Sequence, residues 1–243
     1  MDDQSPSLED TLEDKPLPQW RPLSPRQRRV LGVLVEKAKT TPDAYPMSLN
    51  AIVTGSNQKS NRDPQMNLTA EEAQDALDEL RGMAVVAEVH GSGRVPKYRH
   101  FAYEWLGVDK QEIAVMTELL LRGEQTVGEL RGRASRMEPI NDLAELRPIL
   151  KALEAKRLVV SLTPEGRGQV VSHNMYPEKE LQELRVRFRD GAPAANSGST
   201  PPSSRGTSAN LSSDVVAELK AEIAALREDV QLLQEQMREL RGA

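Results

Sequence analysis

A nineteen-residue stretch of this chain, residues 85–103, recurs 73 residues further on without a gap. Similar residues occupy the paired positions, which are Val85–Ala87 with Leu158–Val160, Gly93–Arg94 with Gly166–Arg167, His100 with His173, and Tyr103 with Tyr176. The same register extends back through Leu77 and Leu80 to Leu150 and Leu153. In each copy a helical pattern precedes a short apolar strand, a glycine-containing tip and a second strand. The repeat therefore predicts one structural unit used twice.

The first copy, residues 23–105, has the element order of a winged helix. Ser24 and Pro25 form an N-cap followed by a proline at the first helical position. Helical patterns cover residues 25–38, 48–55 and 70–81, and strands at 84–89 and 96–102 flank a hairpin tip that would form the wing. Three helices followed by a two-stranded wing are typical of this fold.

The second copy, residues 106–190, repeats the order and adds a trailing helix at 178–190. Its third helix is predicted at 142–157, where Pro148 either kinks the helix or moves its start to a later residue. The first helices align at an offset of 85 and the later elements at 73, so the first copy has about 12 extra residues, including 57–62. We predict a mostly α, α+β fold of two tandem winged-helix domains.

The two flanking regions differ in composition from the body. Residues 1–22 carry six acids and two bases, which predicts a disordered acidic arm. Residues 191–213 are rich in Gly, Ala, Pro, Ser and Thr and predict a flexible linker. Residues 214–241 follow a heptad pattern that favours a parallel two-stranded coiled coil, and the alternative is an amphipathic helix packed on the body. The predicted dimerisation residues are Val216, Leu219, Ile223, Leu226, Val230, Leu233, Met237 and Leu240.

Composition argues against several classes of protein. The absence of cysteine excludes disulfides, thiolate catalysis and cysteine-ligated metals. No apolar run is long enough to span a membrane, and the N-terminus lacks a signal-peptide pattern, so we expect a cytoplasmic protein with no membrane partner. No nucleophile–base pair, paired carboxylates or phosphate-binding glycine loop stands out. We therefore predict that the chain is not an enzyme and holds no cofactor and no metal.

Charge is the main guide to partners. The net charge is −5, but residues 23–190 carry +1, which is less basic than many nucleic-acid binders. The third helix of the first copy would point Glu71, Asp75, Asp78 and Glu79 outward, and these carboxylates would oppose contact with phosphates. The third helix of the second copy has a mixed charge of +1 and is better suited to a groove.

Basic and amide side chains supply candidate contacts to DNA. They could hold phosphates or bases. The alternatives are that edge-strand cations prevent sheet association and that Asn and Ser side chains cap local turns. The candidate nucleic-acid-binding residues are Asn57, Gln58, Lys59, Asn61, Arg62, Arg94, Lys97, Arg99, Arg131, Arg133, Arg136 and Arg167.

His100 and His173 occupy the same place in the two copies. A metal site is one interpretation, but repetition in both units favours a shared structural role. We expect each imidazole to bond a backbone carbonyl or to pack on Tyr103 or Tyr176.

Several polar strings in the first copy resemble the YceH-like family of bacterial proteins, which is largely uncharacterised. The matching stretches are Val35–Lys37, Thr40–Asn50, Asn57–Pro64 and Gly93–His100, and the likeness covers about residues 23–185. The resemblance implies two tandem winged helices and transfers no reaction or catalytic residue.

The first functional hypothesis is a non-enzymatic homodimer that binds DNA weakly, with a regulatory effect, through its basic wings and the loop at 57–62. The second is a protein-interaction scaffold that uses the acidic third helix of the first copy. Self-association, DNA and a protein partner therefore all remain open.

Overall fold

The computed structural model describes residues 20–89 and 95–189, which form an α+β fold of helices and small antiparallel sheets. The acidic arm up to residue 19, the tip at 90–94, the linker and the heptads lie outside the described residues. Among the described helices, none combines the length and the apolar character needed to cross a membrane.

Repeat 1 contains three helices and a three-stranded sheet. Its elements are α1 (Pro25–Thr40), a 3-10 turn (Pro42–Ala44), β1 (Met47–Ser48), α2 (Leu49–Ser56), α3 (Ala70–Gly82), β2 (Val86–Val89) and β3 (Lys97–His100). The strand order is β1–β3–β2, and both pairings are antiparallel. A short helix, α4 (Ala102–Leu106), leads into the second repeat.

Repeat 2 has the same order and ends in one further helix. Its elements are α5 (Lys110–Arg122), β4 (Gln125–Thr126), α6 (Val127–Ala134), α7 (Leu143–Ala155), β5 (Val159–Ser161), β6 (Val170–His173) and α8 (Glu178–Arg189). Its sheet has the order β4–β6–β5 and is also antiparallel.

The helix starts are set by local caps. Ser24, Thr69 and Asp109 each form a capping box, in which the cap side chain accepts the N3 backbone N–H and the N3 side chain returns to the cap. The helix α7 starts at Leu143 because Asp142 Oδ1 accepts the Glu145 N–H at 2.8 Å, and it continues through Pro148. The later start considered for this helix is therefore wrong.

The 73-residue repeat is preserved in individual backbone hydrogen bonds. Ala84 and Arg157, at equivalent positions, both adopt left-handed φ values of 57° and 58°. The next residue then donates its N–H to the end of the third helix in both repeats, from Val85 to Leu80 O and from Leu158 to Leu153 O. The same backbone turn therefore carries the chain from helix to strand twice.

The extra residues of repeat 1 fall in two places. The offset between equivalent helix starts is 85 for Pro25 and Lys110, 78 for Leu49 and Val127, and 73 for Ala70 and Leu143. Seven extra residues therefore precede α2, where the 3-10 turn lies, and five follow it. The second insertion lengthens the connection that contains residues 57–64.

One continuous set of buried apolar side chains runs through both repeats. The helices α1 and α5 meet within it, and Gly32 is the point of close approach. A Cβ at Gly32 would lie 2.8 Å from Leu121 Cδ2 and 2.9 Å from its Cγ, while Leu121 is itself fully buried. The absence of a side chain at Gly32 lets the two first helices pack directly.

Replacing Gly32 with alanine should lower the free energy of unfolding by about 1 kcal/mol, because overpacking outweighs the gain in helix propensity. The matched control is Gly132→Ala in α6, where a new Cβ meets nothing within 4 Å. That change should raise stability by about 0.5–1 kcal/mol. Urea unfolding measures both, and equal stabilisation by the two variants would contradict the close packing of α1 on α5.

Candidate nucleic-acid interface

The polar loop at residues 57–64, which we call the joint loop, is closed by its own side chains. Asn57 Nδ2 donates to Leu68 O at 2.8 Å, and its Oδ1 accepts the Leu68 N–H at 2.7 Å. Gln58 Oε1 accepts from Arg62 Nη2 at 3.0 Å. Asn57 therefore has a structural role, as the alternative interpretation of this string expected, and Gln58 helps to hold Arg62.

Arg62 points into the protein. Its Nη2 lies 2.5 Å from Glu36 Oε2, and its Nη1 lies 3.2 Å from Oε1 of the same carboxylate. Its other donors reach Gly55 O at 2.9 Å and Asn61 O at 2.7 Å, and no part of the side chain is exposed to solvent. The prediction of a DNA contact at Arg62 is therefore corrected, because a guanidinium without exposed surface cannot reach a phosphate.

The joint loop packs against the end of α5 in repeat 2. The Asp63 N–H donates to Leu121 O at 3.0 Å, which satisfies a carbonyl left free at the helix terminus. The side chain of Asn61 accepts a hydrogen bond from Arg122 Nη2. The insertion in repeat 1 thus forms part of the contact between the repeats.

A second buried guanidinium supports the joint loop from α1. Arg29 donates to Ser56 O at 2.9 Å and to Pro64 O at 2.6 Å. Ser56 immediately precedes the joint loop, and Pro64 is its last residue. Burial, followed by the positive charge of Arg62, lowers the pKa of Arg29 to about 10. The group still carries its charge at neutral pH, and the backbone carbonyls compensate for its loss of hydration.

The arginines of the α6 region also make contacts inside repeat 2. Arg131 donates to Asn141 O at 3.1 Å, and Arg133 donates to Gln125 Oε1 at 2.6 Å. Arg136 Nη2 lies 2.6 Å from Oε1 of Glu118, a carboxylate with no exposed surface. These three candidates are only partly available to a ligand, although 43% of the Arg136 side chain remains exposed.

The remaining described candidates face solvent. Lys97 and Arg99 are exposed on either side of Tyr98, which is 2% exposed, so side chains alternate between the two faces along this strand. Lys59 and Arg167 are exposed as well. Arg94 lies outside the described residues, as do all the predicted dimerisation residues.

The third helices of the two repeats differ in surface charge. In α3 the predicted outward positions Glu71, Asp75, Asp78 and Glu79 are all exposed. At the offset of 73, the corresponding residues of α7 are Ala144, Pro148, Lys151 and Ala152. Four carboxylates in one copy are therefore replaced by three neutral residues and one cation in the other.

We call the exposed side of α7 that carries Arg147 and Lys151 the α7 face. Arg147 Nη1 lies 2.7 Å from Glu165 Oε1, which connects this helix to the tip between β5 and β6. Arg167 is exposed on that same tip. The helix and its hairpin tip thus carry three cations, Arg147, Lys151 and Arg167, of which the first pairs with Glu165.

The two equivalent histidines accept backbone hydrogen bonds. His100 Nδ1 accepts the Ala102 N–H and His173 Nδ1 accepts the Met175 N–H, both at 3.2 Å. Burial lowers the pKa of His100 to about 4 and that of His173 well below its usual value. His173 stacks on Tyr176 with ring centroids 3.9 Å apart, which is one of the two structural roles expected for this residue.

Sequence reasoning missed the buried charges of the joint. Glu118 lies among apolar residues of α5, and Arg29 and Glu36 lie within the apolar stretch of α1. A charged residue on the apolar side of a helix was the available signal, because such a group needs a buried partner. Within residues 20–89 and 95–189, no group of three or more His, Asp and Glu side chains could hold a metal ion.

Comparison with known proteins identifies relatives of unknown function. The family model described as "Protein of unknown function, DUF480" matches residues 23–168. A UPF0502 protein of Rhodopirellula baltica is 55% identical over 190 residues, covering 76% of this chain and 80% of the relative. A UPF0502 protein of Acidovorax sp. is 39% identical over 222 residues, covering 89% and 95%.

The joint loop allows a matched test of its buried cation. Arg62→Ala should lower the free energy of unfolding by about 3–5 kcal/mol, because it leaves the Glu36 carboxylate buried without its partner. Lys59→Ala, on the exposed side of the same loop, should change it by no more than about 0.5 kcal/mol. Urea unfolding compares the two, and a similar small effect for both would show that Arg62 is not buried in solution.

Proposed function

Since the chain belongs to the DUF480 (UPF0502) family of uncharacterised bacterial proteins, we propose its function from the geometry: it is a non-enzymatic DNA-binding protein with a regulatory effect, and repeat 2 makes the main contact. The α7 face and the tip between β5 and β6 are the parts that meet the duplex.

Each repeat is assigned in this proposal to the winged-helix fold. The order of helix, short strand, two helices and hairpin supports the assignment, as does the antiparallel sheet with its first strand beside the last. The likeness to YceH-like proteins supports it further. In a helix-turn-helix protein the recognition helix lies in the major groove, and here that helix would be α7.

The observation that carries the proposal is the difference in charge between α3 and α7. DNA repels carboxylates, and its phosphates provide much of the affinity for a binding protein. The exposed carboxylates of α3 would oppose such contact, whereas Lys151 stands at the α7 position that corresponds to Asp78. Repeat 2 is therefore the better candidate to insert its third helix into the DNA groove, and repeat 1 would add contacts to the phosphate backbone.

The exposed cations outside α7 would position the protein on the duplex. Arg167 would reach the backbone from the tip of repeat 2, while Lys97 and Arg99 provide a second basic strand in repeat 1. Contacts of this kind fix orientation without reading sequence. The proposed binding is consequently weak and sensitive to salt.

A second function is favoured by the exposed acidic side of α3. A protein partner with a basic surface would complement its carboxylates, and such complementarity speeds association and excludes wrong partners. In this alternative the protein is an interaction scaffold, and the acidic helix rather than α7 makes the decisive contact.

We also propose that the heptads at 214–241 form a parallel dimer. Two copies would bring four winged helices to one target and raise the effective concentration at it. Light scattering of the full chain beside residues 1–190 should show a smaller assembly for the shorter chain. The same mass per particle for both would show that the heptads do not set the oligomeric state.

Charge reversal on the α7 face and on the tip between β5 and β6 tests DNA binding. Lys151→Glu with Arg167→Glu should weaken binding to a mixed-sequence duplex and reduce the slope of log K against log salt by about 1.8, because two phosphate contacts are lost. Fluorescence anisotropy over a salt series measures both quantities.

Arg21→Glu with Lys179→Glu is the control, because it makes the same change in net charge at two exposed residues outside α7. It should leave most of the affinity in place. If the wild-type chain shows no salt-dependent binding, or if the two double variants bind alike, the proposed contact is wrong. Retained binding to a basic protein partner would then favour the scaffold.

A further inference from the structure

Two arginines pair with one buried carboxylate where the joint loop meets repeat 2, and a third arginine, Arg133, is close enough for its charge to act on one of them. Glu118 has no exposed surface, and its Oε2 lies 3.4 Å from Arg122 Nε while its Oε1 lies 2.6 Å from Arg136 Nη2. Arg136 Nε also donates to Arg133 O at 3.2 Å. The three guanidinium groups belong to the end of α5, to α6 and to the turn after it.

The charges of this arginine cluster are not balanced by its carboxylates. Arg122 and Arg136 share Glu118, and Arg133 pairs with Glu129 at 3.5 Å. Burial is the largest cause of the lowered pKa of Arg122, and the charges of Arg133, Arg136 and Arg62 lower it further although Glu118 raises it. Three cations against two carboxylates leave a positive excess.

Some N–H groups of the cluster donate to no acceptor within the described part of the protein. Among the contacts of the described residues, Nη1 of Arg122 and Nη1 of Arg136 take part in no hydrogen bond. The side chains of Arg122, Arg133 and Arg136 are 16%, 26% and 43% exposed, so solvent reaches the group. A ligand that accepts several hydrogen bonds and carries negative charge would use these donors.

The arginines are held in place before any ligand arrives. Asn61 of the joint loop accepts from Arg122, Glu118 fixes Arg136, and Gln125 Oε1 accepts from Arg133 at 2.6 Å. Holding a long side chain in one geometry lowers the entropy that binding would otherwise cost. The exposed Lys59, two residues before Asn61, is a further cation on the same loop.

We propose that Arg122, Arg133 and Arg136 form a binding site for a phosphate group at the joint between the two repeats. Guanidinium groups match the geometry of phosphate oxygens, and a dianion fits a cluster with excess positive charge. Either a free phosphorylated ligand or a phosphate of the DNA backbone could supply the group. The site uses no residue of the α7 face, so it does not depend on the proposed contact there.

Calorimetry of the full chain with inorganic pyrophosphate tests the site, with a thermal-shift assay as a second reading. Wild-type protein should bind pyrophosphate and gain thermal stability with increasing concentration. Arg133→Gln with Arg136→Lys should weaken binding about tenfold or more, since both changes remove charge-assisted hydrogen bonds. Lys in place of Arg136 keeps a cation beside Glu118 and so protects the fold.

Arg185→Gln is the matched control, because it removes an exposed guanidinium from α8, outside the cluster, the α7 face and the tip between β5 and β6. It should leave pyrophosphate binding unchanged. A short DNA duplex, titrated into the same variants, separates the two sources of phosphate. Loss of pyrophosphate binding in the cluster variant identifies a site for a free ligand, and loss of duplex affinity without any pyrophosphate binding identifies a backbone contact.

The proposal is overturned if pyrophosphate does not bind and the duplex binds the cluster variant as it binds the wild type. The three arginines would then only neutralise Glu118 and brace the joint. The variant of Lys151 and Arg167 tests the proposed function separately. Loss of its duplex affinity supports the contact of repeat 2 with DNA whether or not pyrophosphate binds, and unchanged duplex affinity contradicts that contact without bearing on the cluster.

Discussion

Buried guanidinium groups fix the conformation of the joint loop, through which repeat 1 contacts the end of α5 in repeat 2. Arg29 and Arg62 place their donors on backbone carbonyls at Gly55, Ser56, Asn61 and Pro64, and Arg62 also pairs with Glu36. A cation without these partners would be very costly inside a protein. The joint loop must therefore keep one conformation, and in that conformation it meets the end of α5.

This constraint changes the meaning of the inserted residues. A polar string of amides, hydroxyls and cations is a natural candidate for a ligand contact. Here Asn57, Gln58 and Arg62 instead make hydrogen bonds within the protein. Asn57 closes the loop on Leu68, and Asp63 donates to a carbonyl of repeat 2. The insertion that distinguishes repeat 1 is used to join the repeats.

The local structure was predicted well because the residues that start a helix or pattern its apolar side lie close together in the sequence. Capping residues and apolar spacing located the helices, and Tyr98 and its neighbours alternate as a strand should. The strands β1 and β4 and the helix α4 were missed, since segments of two to five residues carry too little periodicity to recognise. The opposed charges of α3 and α7 were visible from the repeat register alone.

The candidate site was harder to predict because it depends on distant pairs. Glu36 and Arg62 are 26 residues apart, and Arg29 reaches a carbonyl 35 residues away. Nothing in the spacing of either pair reveals that they meet. A polar loop therefore looked like surface, and only the folded contacts show that Arg62 is buried while Lys59 is exposed.

Hydrogen exchange of the backbone amides at Asp63 and Leu68 tests the joint most directly. Both amides donate to partners within the fold, Asp63 to Leu121 O and Leu68 to Asn57 Oδ1. If the joint loop holds the repeats together, these amides should exchange about as slowly as those in the middle of α1, because they open only with the surrounding core. Rapid exchange, typical of a surface loop, would contradict the account.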